Sequence, residues 1–508
     1  MRAVGHRRLW TGTENLVADD STAVSGLVHL IDGRLERGSG TFEIVSPWSA
    51  HVIARTPEAT AAETEAAIVA ARRAFDEGPW PRMLPRERSA MLRTFAERLS
   101  ARRDEFVHIA IHQNGSVRSL AEAVQVDSSL EAAHRYAADA ATLNEVDAFD
   151  IEGPPMSGRT GRRNMRLVTR VPAGVVSAIT PFNYPMRVNI QKVFPALAVG
   201  CTVVLKPHPT TSWDAAIMAE EAAAAGLPDG AINVLLGGGV ECGESLVSDA
   251  RVDMISFTGS TATGRRIMEL ASRTIKNVVL ELGGKSANIV FGDADLEAFF
   301  ATDPGNLKHA GQGCGQLTRA LIERSVYDEV TSRLADRMRT IRIGDPEDMA
   351  TELGPLANSA QFDRVRDYIA IGVKEGARLL CGGGVPADSG SGYFVEPTLF
   401  VDVDNSMRIA QEEIFGPVLV AIPFDGEADA VRITEDSIYG INAAVWSKDT
   451  DKAWRIASAI RTGNVGINCL ANVTSGPHGG FKQTGIGREW GPWSLDEYVE
   501  LRAFSYSD

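Results

Sequence analysis

Glu281 and Cys314 are the two side chains from which this sequence is best read. The apolar run Val278-Val279-Leu280 ends in Glu281-Leu282-Gly283-Gly284-Lys285. A strand that ends in a carboxylate and two glycines presents that carboxylate at the rim of a sheet, where it can serve as a general base. Further on, Gly311-Gln312-Gly313-Cys314-Gly315 sets a thiol among glycines that leave backbone amides open and add nothing to a core. Cys314 therefore reads as a presented nucleophile. Plainer interpretations stand beside both. A free cysteine is usually buried and structural, the reading taken for Cys201, Cys242, Cys381 and Cys469, and a glutamate at a strand end is usually a solvated charge.

Other strand ends add polar groups. In Pro181-Phe182-Asn183-Tyr184-Pro185 the prolines fix the turn and hold the Asn183 amide as a donor suited to an oxyanion, although asparagine also favours ordinary turns. Lys206-Pro207 can offer an ammonium to sugar or phosphate oxygens. Phe257-Thr258-Gly259-Ser260-Thr261 opens a helix, and there Gly259 lets backbone approach a pyrophosphate while Ser260 adds a hydroxyl. This is not the G-x-G-x-x-G pattern, and alone it equals an ordinary helix cap.

These groups need a scaffold of alternating strands and helices. Strands are expected at 175–180, 201–205, 231–236 and 254–257, with helices at 188–199, 211–225, 245–248 and 263–271 between and after them. The rhythm resumes after Cys314 with strands at 320–323, 418–424, 443–446 and 465–468, which predicts two α/β lobes with ligands at the carboxyl ends of parallel strands. Ahead of them lie a hairpin at 41–54 and helices at 60–76, 85–106 and 120–143. Residues 147–166 lose helical period and read as a lid or, preferably, an extended arm that pairs with another subunit.

Length and composition set the frame. A chain of 508 residues is too long for one core, and 44% hydrophobic with 23% charged residues describes a globular α/β protein. A net charge of −15 argues against a nucleic-acid partner. Met1–Trp10 has no apolar core for a signal peptide and no segment reaches a membrane span, so a cytoplasmic location is expected. Five cysteines without short repeated spacing fit a reducing compartment and imply no metal site.

Taken together the motifs resemble the aldehyde dehydrogenase superfamily over nearly the whole chain. They run in the family's order: Pro181-Phe182-Asn183-Tyr184-Pro185, Phe257-Thr258-Gly259-Ser260, Glu281-Leu282-Gly283-Gly284-Lys285, Gly311-Gln312-Gly313-Cys314, Glu412-Glu413-Ile414-Phe415-Gly416-Pro417 and Gly479-Gly480-Phe481-Lys482. The resemblance implies two Rossmann-like α/β domains with parallel sheets and a small oligomerisation hairpin. It assigns 1–148 and 170–283 to a cofactor-binding domain, 284–488 to a catalytic domain, and 149–169 with 489–508 to the hairpin. It implies that Cys314 attacks an aldehyde, that Asn183 and the Cys314 amide hold the oxyanion, that Glu281 activates water and that Lys192 supports proton transfer. NAD or NADP would be held by Thr180, Pro181, Phe182, Lys206, Gly259, Ser260, Leu282, Glu413 and Phe415, in a homodimer or homotetramer.

Departures from the family pattern bear on specificity. After Lys206-Pro207 the family usually has a small residue and a glutamate that grips the adenosine ribose; here His208-Pro209 follows, so a 2′-phosphate meets less repulsion and two potentially cationic side chains. Gly313 and Gly315 flank the nucleophile where larger residues are common, which should widen the substrate pocket. Arg187 and Gln191 share a helix face near Tyr184, and His478 replaces a usual aromatic. Such a tunnel suits an aldehyde with a polar or acidic end, unless Arg187 makes a subunit contact and His478 meets a backbone carbonyl. His309 stands where an asparagine is usual. Among other readings, a CoA-acylating enzyme would usually lack Glu281, a silent relative would have lost Cys314 or Glu281, and a cysteine hydrolase would need His309 as its base.

Overall fold

The computed structural model describes residues 23–143, 146–150, 164–302, 304, 307–471 and 476–507. The expected signal-free segment Met1–Trp10 and most of the arm, 151–163, lie outside the described residues.

The first lobe is an eight-stranded sheet in the order Gly485–Ile486, Asn277–Glu281, Met254–Thr258, Val175–Ile179, Thr202–Lys206, Ile232–Val234, His29–Ile31 and Arg34–Glu36. Its five central strands are parallel, joined by helices Pro185–Val199, Trp213–Ala224, Val240–Ser248 and Thr261–Ala271. The second lobe has seven strands in the order Arg378–Cys381, Thr398–Val401, Val418–Phe424, Arg319–Glu323, Ala287–Val290, Asn442–Trp446 and Asn464–Ile467. Central strands such as Thr202–Lys206 and Thr398–Val401 are buried along their whole length, as helices on both faces require.

Both sheets are parallel through their centres, as the sequence predicts, and carry antiparallel strands towards their edges. Gly485–Ile486 and His29–Ile31 pair antiparallel in the first sheet, and Arg378–Cys381 does so in the second. An antiparallel edge strand needs no crossover helix, so segments remote in sequence can add at the margins of the sheet. The return at 485–486 also brings the chain back to the first sheet before residue 488, inside the stretch expected to belong to the second lobe.

The threonine cap expected before 61 is present: Thr60 and Glu63 form a reciprocal capping box on helix Ala61–Asp76. The helix expected over 85–106 is two, Pro85–Ser100 and Arg103–Asn114, broken where the Arg102 side chain turns to Glu105 and Glu220. The helix expected over 120–143 begins with a π-helical stretch, Ala121–Asp127. Such bulges re-aim side chains, and this one brings Gln125 to the carbonyl of Asn183.

A three-stranded sheet stands apart, with Asn164–Pro172 between Val146–Asp150 and Val499–Ser507. Nine residue pairs join Asn164–Pro172 to the C-terminal strand, so the ends of the expected arm and the chain's tail are one element.

Candidate functional site

A cavity of about 520 Å³ opens at the strand ends and is lined from both lobes. Cys314 reaches it from a loop whose backbone is left-handed at three successive residues, His309 (φ 54°), Ala310 (φ 51°) and Gly311 (φ 74°). Histidine and asparagine tolerate that region better than most residues, which gives His309 a physical rationale in place of asparagine. Packing enforces the turn: a Cβ on Gly311 would collide with the Gly416 carbonyl, and one on Gly284 with the carbonyl of Cys314. The Cys314 backbone thus lies directly against the Glu281-Leu282-Gly283-Gly284 turn.

Cys314 is half-buried on the cavity wall. Burial, followed by the charge of Glu281 and a hydrogen bond to it, pushes the thiol well above its ordinary range, and the charge of Glu413 adds to this. Glu281 ends its strand as a buried carboxylate, and its Oε1 has no hydrogen-bond partner among the described residues. The Nε2 of His478 lies 3.6 Å from that oxygen. Asn183 is buried and its Nδ2 donates to the Gln312 carbonyl at 2.9 Å, leaving one N–H for another acceptor. Its own carbonyl accepts from Asn114 Nδ2 at 2.9 Å and Gln125 Nε2 at 3.0 Å, so the residue is held from both ends.

Lys192 is fully buried beneath the cavity wall rather than on it. Its Nζ donates to Glu489 Oε1 at 2.7 Å and to Ser256 Oγ at 3.2 Å. Gln191 donates to the other Glu489 oxygen. Glu489 lines the cavity and links Lys192 to it, a residue that the sequence does not single out. An acidic side chain between Arg488 and Trp490 carries no pattern that separates it from a surface charge.

Among the residues expected to bind cofactor, Pro181, Phe182, Gly259, Ser260, Leu282, Glu413 and Phe415 line the same cavity. The arrangement fits a dinucleotide on local grounds. Ser260 caps the helix Thr261–Ala271, and the Gly259 Cα lies so close to the Phe257 ring that no Cβ fits. Phe415, itself at φ 63°, sets its ring edge-on to Phe182 at 5.9 Å. Glu413 Oε1 accepts from the Gly284 amide at 2.9 Å, and burial raises its carboxyl to about 7.

Thr180 and Lys206 lie off the cavity lining. Thr180 is buried, with Oγ1 donating to Asn189 at 2.7 Å, and burial lowers the Lys206 ammonium. The expectation that His208 could add positive charge needs correction. Burial, then the charge of Lys206, brings its imidazole down to about 4, and Nδ1 bonds to Thr210. It is therefore neutral near pH 7.

Tyr184, Arg187, Gln191, Gly313, Gly315 and His478 all line the cavity. Arg187 and Gln191 already have partners within the protein, however. Arg187 stacks over the Trp490 ring at 4.4 Å and donates to Ser128 Oγ at 2.9 Å, and Gln191 is committed to Glu489. A side chain at 315 would meet only Asn442 at ordinary contact distance, so Gly315 opens the pocket instead of relieving a clash. Apolar neighbours not expected from the sequence, Val124, Val188, Leu470 and Trp490, complete the wall. Of the cysteines taken as structural, Cys201 and Cys242 are buried and Cys381 is half-buried, but Cys469 is exposed beyond the strand Asn464–Ile467, which corrects that reading.

The fold is that of solved aldehyde dehydrogenases. The chain superposes on betaine aldehyde dehydrogenase from Staphylococcus aureus, solved with NAD+, at a TM-score of 0.90 and 35% identity, covering 94% of each chain. It matches a Mycobacterium tuberculosis aldehyde dehydrogenase, also solved with NAD+, at 0.90 and 39% identity, covering 95% of this chain and 98% of that one. Among curated proteins it is 41% identical to geranial dehydrogenase from Castellaniella defragrans, over 91% of this chain and 94% of the relative. The family model for the aldehyde dehydrogenase family matches residues 35–504. The chain belongs to the aldehyde dehydrogenase family. Among the described residues no helix is long and apolar enough to cross a membrane.

Proposed function

We propose that this protein oxidises an apolar-chain aldehyde to its carboxylic acid with NAD or NADP as hydride acceptor. The observation that carries this is the meeting of Cys314, Glu281 and Asn183 on one cavity wall that also presents Phe182, Ser260, Glu413 and Phe415. The relatives solved with NAD+ support the choice of cofactor, and the absence of a carboxylate at Pro209 leaves NADP acceptable.

The Cys314 thiolate, formed as the thiol's proton passes to the neighbouring Glu281 carboxylate and on to solvent, attacks the aldehyde carbon, and the resulting C–S adduct carries an oxyanion that the remaining Asn183 N–H and the Cys314 amide stabilise. Phe415 and Glu413 would hold the nicotinamide, whose chemistry would be to accept the hydride lost as the adduct becomes a thioester. Glu281 then takes a proton from water, the hydroxide adds to the thioester carbon, and C–S cleavage returns the Cys314 thiolate and releases the acid. Lys192, through Glu489, gives protons on this face a route away from the site. Because Glu281 is present, water and not a second thiol resolves the thioester.

The substrate reading follows from the wall. With Arg187 and Gln191 engaged, the surface offered to an incoming chain is Val124, Tyr184, Val188, Leu470 and Trp490. The similarity to a geranial dehydrogenase agrees with this. Exposed Leu501 and Phe504 on the C-terminal edge strand support a homodimer or homotetramer built through that sheet, and five free cysteines support a cytoplasmic setting. The test is formation of NADH and NADPH over aliphatic, terpenoid and acidic aldehydes, with Cys314→Ala as control. Turnover confined to acidic members, or surviving in the control, would overturn the proposal.

A further inference from the structure

Away from the cavity, three side chains from two separate segments converge where the N-terminal helices meet the second lobe. His108 and His112 stand one turn apart on the helix Arg103–Asn114, with ring centroids 4.2 Å apart. Glu347 comes from the loop after the helix Tyr327–Thr340. Its Oε1 lies 2.9 Å from His112 Nε2 and 4.0 Å from His108 Nδ1. One ligand atom from each residue falls within 4.8 Å of the other two. We propose that His108, His112 and Glu347 form a binding site for a divalent transition-metal ion of the zinc class, which would join the helix to the second lobe.

The chemistry of the donor set is two imidazole nitrogens and one carboxylate oxygen, which with a water completes a four-coordinate site. Ligand atoms around zinc at about 2.0–2.1 Å lie roughly 3.3 Å apart. The two distances to Glu347 bracket that value, and the imidazole nitrogens lie within 4.8 Å of each other. In its neutral form an imidazole has one ring lone pair that a metal can take. His112 now presents Nε2 to the carboxylate; binding moves its proton to Nδ1 by a change of tautomer and releases none.

The carboxylate is already oriented. Arg118 holds Glu347 Oε2, and its Nε donates to the Glu347 carbonyl at 3.1 Å. The Glu347 amide donates to Asp345 Oδ1 at 2.9 Å, and the Arg118 amide donates to the Pro346 carbonyl at 2.8 Å. Support of this kind, one step behind the ligands, fixes their direction. Asp345 also offsets the charge of Arg118 close to His112. Side-chain exposures of 15%, 17% and 30% for His108, His112 and Glu347 leave a way in for the ion.

Zinc could also settle on Glu281, Cys314 and His478, whose ligand atoms cluster as closely in the cavity. The experiment therefore uses the full chain carrying Cys314→Ala, with zinc titrated by calorimetry and Co2+ as a spectroscopic probe. We expect one equivalent bound, a rise in Tm with added zinc, and visible cobalt bands without a sulfur charge-transfer band. His112→Gln and Glu347→Gln, each made in the Cys314→Ala chain and in the otherwise native enzyme, should weaken binding at least about tenfold. Their metal-free turnover in the native background, or secondary structure if turnover is lost, reports folding. Absence of stoichiometric binding in the Cys314→Ala chain, or binding unchanged by both further substitutions, would overturn the site.

Discussion

His478 Nε2 stands 3.6 Å from Glu281 Oε1, the carboxylate oxygen that has no hydrogen-bond partner among the described residues. His478 therefore packs beside the side chain proposed to activate water. His478→Ala should lower steady-state oxidation several-fold while a first turnover of reduced cofactor persists. Burst and steady-state rates of cofactor reduction check this, and an unchanged steady-state rate would separate His478 from that step.

Glu281 also bears on the thiol. Its charge is the largest contribution after burial in holding the Cys314 thiol above its ordinary range, which lowers the thiolate fraction at neutral pH. In the cofactor-free enzyme, alkylation by iodoacetamide should be slow at pH 7 and still rising past pH 9. Glu281→Gln should speed it several-fold at pH 8, while a single turnover of reduced cofactor persists and steady-state oxidation falls about 10²–10⁴-fold. Equal alkylation rates would show that Glu281 does not set the thiol's reactivity.

Lys192 and Glu489 form an ion pair with side-chain exposures of 0% and 5%. Removing one member of a buried pair typically costs about 3–5 kcal/mol, because the other is left uncompensated. Glu489→Gln should therefore lower stability in urea by that order, whereas Lys192→Met with Glu489→Leu should cost less than the single change.

Arg187 stacks on Trp490 and donates to Ser128. Arg187→Met should raise KM for neutral and acidic aldehydes by similar factors. A rise confined to acidic aldehydes would restore the polar-end reading of the pocket.

His309 is buried, and burial brings its imidazole down to about 4. Between pH 6.5 and 4 the unfolded chain binds a proton there that the folded chain does not, so stability is lost as pH falls through that window. At pH 5 the loss from this one group is about 2 kcal/mol relative to neutral pH. His309→Asn, which suits the left-handed backbone, should recover most of it, as urea melts at pH 7 and 5 would reveal.

Much of this was legible in the sequence because the informative residues sit at strand ends. Apolar runs such as Val278-Val279-Leu280 give the strand, and residues that follow several of these runs, Asn183, Ser260 and Glu281 among them, line the cavity. What stayed hidden depends on contacts between distant segments. Glu489 carries no local pattern and becomes notable only when Lys192 and Gln191 reach it. Arg187 could be placed on the right face of its helix, but its partner Trp490 is supplied from the far end of the chain. The π-helical stretch at Ala121–Asp127 follows from no propensity; its consequence, Gln125 at the Asn183 carbonyl, is a tertiary fact.

The cavity wall draws on residues from Val124 to Trp490. Neither lobe holds a complete site, so a fragment that keeps a folded sheet has no partial activity to display. In refolding, helical signal should return first and catalytic competence only when the lobes have docked. The enzyme's own turnover is thus a clock for the last step of its assembly.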